Sequence, residues 1–130
     1  MNRRGSATLE FALLLPVLLM FFYGIFEYGW MFFHRTALQE AGRQGCRHGA
    51  TLNTADHDIE AEVVDVTEGM LEALGIDCGR AECNVTVELE GESPTQRLRC
   101  SVVMNHQPIT NALPVPETLA AGYLYYIEVQ

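Results

Sequence analysis

The stretch Arg4-Gly5-Ser6-Ala7-Thr8-Leu9-Glu10, running directly into apolar residues from Phe11 to Phe33, decides the architecture of this chain. Phe11 to Phe26 are sixteen uncharged residues, and after Glu27 the segment Tyr28 to Phe33 resumes the same character. As a helix the shorter run covers about 24 Å and the longer about 35 Å, lengths that bracket the hydrocarbon core of a bilayer. Tyr23, Tyr28 and Trp30 gather toward the far end, ahead of His34 and Arg35, as an aromatic belt does where hydrocarbon gives way to water. Glu10 stands at the mouth of this run, where an acid needs either a cationic partner or a route to the head groups.

Outward from the apolar run, no Gly or Pro cluster interrupts the chain through Arg35 to Gln44, so the helix is expected to continue to about Arg47. A secretory signal peptide also begins with basic residues and an apolar run. Here the run is longer than such a leader, and no A-x-A-like site follows it. Pro16 removes one backbone hydrogen bond and is expected to kink the helix within the membrane. Ala37, Ala41, Gly45 and Gly49 recur every fourth position and line one helical face, suited to close approach of a second helix. That helix belongs either to another subunit or to the chain's own body. Glu27, at the aromatic belt, is expected to reach interfacial water or Arg35.

The remaining chain is one small domain at most. Of 130 residues with net charge −9, the part beyond residue 50 holds three Arg against fourteen acids, which argues against a nucleic-acid partner. All four cysteines, Cys46, Cys78, Cys83 and Cys100, lie beyond the apolar run, and their even number suits two disulfides in an oxidising compartment. Buried thiols and zinc are the other readings, although Cys78-x4-Cys83 with two isolated cysteines lacks the paired short spacings of structural zinc sites. A local bridge between Cys78 and Cys83 would leave Cys46 to join Cys100 and pin the long helix to the sheet. The short end inside and the body outside is the orientation these cysteines favour.

Ile59, Val63, Val66, Met70 and Leu74 predict a second helix from about Asp56 to Leu74, with Asp56 as its cap and Gly75 closing it. His57 lies between two Asp residues, but neighbouring side chains on a helix fan apart, so a capping arrangement fits better than a metal site. Cys83 to Glu90 and Arg97 to Met104 alternate apolar with polar, as half-buried strands do. With Glu90 opposite Arg97, Glu88 faces Arg99 on the wet side, while Leu89 meets Leu98, Val87 meets Cys100 and Val85 meets Val102 inside. Pro108, Pro114 and Pro116 make a loop, and a third strand follows from about Leu119 to Val129, either at the sheet's edge or in its middle. The expected fold is α+β: a long N-terminal helix, then one helix packed on a three-stranded antiparallel sheet.

No catalytic constellation is evident. His34, His48, His57 and His106 are scattered in the sequence, and neither a phosphate-cradling loop nor a defensible acid, base or nucleophile set appears, so no enzyme activity, metal, cofactor or small-molecule substrate is expected.

A basic leader ending in Gly5, Glu10 five residues further on and an apolar helix directly after it resemble the class III signal of type IV pilin-like proteins. The run Arg4-Gly5-Ser6-Ala7-Thr8-Leu9-Glu10-Phe11-Ala12, then Pro16, then Ala37-Leu38-Gln39-Glu40-Ala41-Gly42-Arg43 is most similar to the TadE-like family, minor pilins or pseudopilins of the tight adherence (Tad) pilus. The resemblance implies cleavage between Gly5 and Ser6 by a prepilin peptidase on the cytoplasmic face of the bacterial inner membrane. It implies that Glu10 then pairs with the exposed amine of a neighbouring subunit, and that other pilin and pseudopilin subunits are the partners. Residues 1–5 would be the leader, 6–50 the membrane helix and stalk, and 51–130 an extracytoplasmic domain serving surface adhesion and biofilm formation. Glu10-Phe11 stands where the major Flp-type pilins favour Glu-Tyr, which disfavours the major-pilin reading. The alternative is an uncleaved single-span anchor that displays a periplasmic binding or scaffolding module.

Overall fold

The computed structural model describes residues 3–52, 58–91, 96–110 and 113–127, with the side chains of residues 3–7 outside the description. Helix α1 runs unbroken from Arg3 to Thr51, with Pro16 in its interior. At 1.5 Å per residue its 49 residues extend about 73 Å, more than twice a hydrocarbon core. Helix α2 spans Ile59–Ala73 and the single turn α3 spans Cys78–Ala81. Strands β1 (Asn84–Glu90), β2 (Arg97–Asn105) and β3 (Thr118–Tyr126) form one antiparallel sheet in the order β1-β2-β3. The architecture is the expected α+β arrangement. The third strand is an edge, and β2 is the middle.

Helix α2 starts at Asp58, whose carboxylate accepts the Ala61 N–H, with Glu60 and Glu62 in the first turn where the helix dipole favours acids. Asp56 and His57 lie outside the described residues. At the other end Gly75, at φ +80°, allows its own N–H to reach Glu72 O and the Ile76 N–H to reach Leu71 O. That is the paired closure which satisfies the last carbonyls, with Leu71 and Ile76 buried together beside it. The buried face of α2 is Ile59, Val63, Thr67 and Leu71. It departs from the expected stripe after Val63, leaving Leu74 45% exposed.

The small residues of α1 explain that departure. Ala37, Ala41, Gly45 and Gly49 are buried against the chain's own body. A Cβ added at Gly45 would collide with the Thr67 hydroxyl and meet Val63 O at 3.0 Å, and one at Gly49 would collide with Val63. With no side chain between them, α1 and α2 approach closely, and Thr67 rather than Val66 sits over Gly45. On the neighbouring face Gly42 lies under Val102 and Tyr123 of the sheet, and the Tyr123 hydroxyl donates to Gln39 O.

The β1–β2 register pairs Glu90 with Arg97, Glu88 with Arg99, Leu89 with Leu98, Val87 with Cys100 and Val85 with Val102. Only the charge partners differ from a straight-across arrangement: Arg99 Nε donates diagonally to Glu90 at 2.6 Å, and Arg97 lies over the Tyr126 ring. Glu90 is held below the usual carboxylate range, first by its hydrogen bond from Arg99. Leu98, Cys100, Val102 and Met104 of β2 point inward and are buried, as the period of two requires. Two disulfides close the unit, Cys46 to Cys100 and Cys78 to Cys83. The first joins the buried face of α1 to the central strand.

Candidate functional site

Helix α1 divides at Glu27. Every large apolar side chain from Leu9 to Phe26 is exposed, on all sides of the helix. No amphipathic soluble helix has that distribution, because a soluble helix covers at least one stripe. This is the one helix among the described residues long and apolar enough to cross a membrane. Thr8 and Glu10 are exposed at its lower end, and Gly5 and Ser6 lie within the first turns of the same helix.

Glu27 itself is 1% exposed. Its carboxylate accepts the Ile109 N–H at 2.9 Å, the Thr110 N–H at 3.0 Å and the Thr110 hydroxyl at 3.2 Å. It reaches neither Arg35 nor interfacial water, contrary to the expectation from the sequence. The loop between β2 and β3 folds down along the helix, and Leu113 comes within 4.0 Å of where a Gly24 Cβ would be. A loop with polar backbone cannot lie in hydrocarbon, so a bilayer crossed by α1 would end near Phe26, with Tyr28, Trp30 and Phe33 at its interface. The shorter apolar run is therefore the one left open, apart from the approach of Leu113 to Gly24.

Two of the histidines that look scattered in the sequence meet here. His34 Nδ1 and His106 Nδ1 are 3.0 Å apart, so one ring donates its N–H to the other's lone pair. Their rings meet edge to face, and Trp30 packs on His34 with centroids 4.4 Å apart. Burial pushes the pKa of His34 down, and the charge of His106 adds to the effect. Burial also lowers that of His106, against the opposing pull of Glu27. His106 is 3% exposed, and its Nε2 has no hydrogen-bond partner. Among the described residues no group of three or more His, Cys, Asp or Glu side chains is placed to hold a metal.

Glu27, Met31, His34, Leu38, Ala41 and Gly45 follow steps of four and three along one face of α1. The signal that could have found Glu27 and His34 was thus in the sequence. Extending the small-residue stripe downward in heptad steps leads to both. His106 carried no such signal, since it lies 72 residues from its partner.

No curated protein and no solved structure matches the chain. The model of the TadE-like protein family matches residues 5–47. This segment runs from the glycine before Ser6, through the exposed apolar half, to the residue after Cys46, and over it the long helix is similar to TadE-like proteins.

Proposed function

We propose that this chain is a minor pilin or pseudopilin of a Tad-type, type IVb-like pilus, a structural component that works through α1 in adhesion and biofilm formation and needs no reaction of its own. The observation that carries this reading is the exposed apolar half of α1, Leu9 to Phe26, headed by Glu10, within a segment that matches a Tad pilus-associated family. In this reading the helix is held in the bacterial inner membrane with its N-terminus cytoplasmic and its body, with two disulfides, periplasmic. A prepilin peptidase cuts between Gly5 and Ser6, and the new amine pairs with Glu10 of a neighbouring pilin or pseudopilin subunit. Pairing supports a charge where an isolated one is costly.

Mass spectrometry of the chain, produced with and without a coexpressed prepilin peptidase, tests this reading. A product starting at Ser6 only when the peptidase is present, and found in sheared pili, is expected. A chain that retains its leader and stays with the membrane would instead support an uncleaved anchor displaying a binding or scaffolding module. In the Glu10→Ala variant cleavage should persist while incorporation into pili falls.

A further inference from the structure

The upper, solvent-facing side of α1 carries a basic groove on an otherwise acidic body. Arg43, Gln44, Arg47, His48 and Thr51 line it together with Tyr125 of β3, around a cleft of about 660 Å³. Arg43 is partly neutralised by Glu40 at 3.5 Å, and His48 stands 3.8 Å from Glu62. Arg47 is exposed and makes no ion pair among the described residues. On α2 the opposite situation holds. Asp65, Glu68 and Glu72 face away from α1 at successive turns, and none of them is paired among the described residues.

We propose that the Arg43/Arg47 groove of one chain docks the Asp65/Glu68/Glu72 face of α2 in a second copy. Three features converge on this occupant. The charges are complementary, and in each set they repeat once per turn, about 6 Å apart. The two surfaces also lie at the same height along α1, because Gly45 packs directly against Thr67 and Val63. Copies held side by side in one membrane therefore present the groove and the acidic face to each other without axial shift, and the shared membrane raises their effective concentration enough for exposed ion pairs to count. A lipid head group is too far away to compete. Arg43 lies 17 residues beyond Phe26, about 25 Å along the helix, against a screening length of about 10 Å. A nucleic acid would have to approach a chain of net charge −9.

The proposal deepens the subunit reading, and its test uses full-length chains so that the two can fail separately. Two differently tagged copies are coexpressed, solubilised in mild detergent at low salt, treated with nuclease, and co-captured. Arg43→Glu/Arg47→Glu in both copies should lower co-capture by about tenfold, as should Asp65→Arg/Glu68→Arg/Glu72→Arg in both. One copy of each variant together should restore it, which also shows that both are folded. In the otherwise unaltered chain, a photo-crosslinker in place of Gln44 should attach to residues 59–73 of the other copy. Co-capture insensitive to the charge changes, no rescue by the swapped pair, loss on nuclease treatment, or crosslinks elsewhere would each overturn the contact. Cleavage after Gly5 in a chain that fails this test would leave the pilin reading standing.

Discussion

Below Glu27, α1 turns apolar side chains outward on every side; above it, the same helix buries one face of small and apolar residues and leaves the other open, with aromatic side chains from Tyr28 to Phe33 and then charges from Arg35 onward. No break in the backbone separates the halves. The difference lies in what solvates them. The lower half leaves every large apolar side chain from Leu9 to Phe26 exposed, whereas the upper half supplies Met31, Ala37, Leu38 and Ala41 to the core shared with α2 and the sheet. One helix is thus read twice, as an all-round apolar rod and as an amphipathic core helix, and Glu27 with its loop marks where one reading replaces the other.

The Cys46–Cys100 bridge offers the hardest way to break the upper half. It joins residues 54 apart in sequence, which the chain-entropy account values at about 4 kcal/mol, against about 2 kcal/mol for the short Cys78–Cys83 loop. Replacing Cys46 and Cys100 by Ala should accordingly lower unfolding stability about twice as much as the same change at Cys78 and Cys83. Denaturant titration in detergent checks the ranking, and equal losses would remove the claim that the bridge pins α1 to the sheet.

Glycine substitution compares the covered and the open face of the upper half. At Gly45 a Cβ has no space, and Gly45→Ala should cost about 1 to 3 kcal/mol by overpacking. At Gly29 nothing lies within 4 Å of the added atom, and Gly29→Ala should be neutral or stabilise by up to about 1 kcal/mol through helix propensity. Thermal unfolding of the two variants should shift in opposite directions or differ clearly in size.

Glu27→Gln tests the divide itself. It removes one acceptor from a buried site that satisfies two backbone N–H groups, at a cost of about 1 to 3 kcal/mol. Amide exchange at Ile109 and Thr110 should accelerate while that of β2 stays slow. Unchanged exchange at both positions would mean that the carboxylate does not hold the loop.

The smallest effect concerns pH. Both His34 and His106 have pKa values below the ordinary 6.5 in the folded chain, because burial favours their neutral forms. The unfolded chain then binds more protons just below pH 6.5, so their contribution is complete above that value and is lost as pH falls toward the depressed folded values. Stability measured between pH 7.5 and 5 should decline, and His34→Phe should flatten the decline. A second proton on the pair would set two N–H groups face to face.

How legible this was depended on period. The alternation in Val85-Thr86-Val87-Glu88-Leu89 and in Leu98-Arg99-Cys100-Ser101-Val102 admits one register that keeps acids out of the core, and the observed pairing follows it. Helix α2 was legible in existence and in its glycine closure. Its buried face was not, because contact geometry at Gly45 and Gly49, rather than hydrophobicity, selects Thr67 over Val66. The family motif needed only the N-terminal segment. The Glu27 loop and the histidine pair join positions more than 70 residues apart, and nothing local in either partner announces the other. A loop expected from prolines alone is, in the folded chain, the element that sets the lower limit of the body.

Trp30, the only tryptophan in the chain, reports most directly on where α1 changes solvent. If the bilayer takes Leu9 to Phe26, Trp30 lies about 19 Å from the midplane, outside the hydrocarbon; if it takes Phe11 to Phe33, the distance is about 12 Å, within it. Depth-resolved quenching of its fluorescence by brominated lipids, with the full chain in bilayers, separates the two. Weak quenching from acyl-chain bromines together with access to aqueous iodide is the predicted result, and strong acyl-chain quenching with protection from iodide would contradict the division at Glu27.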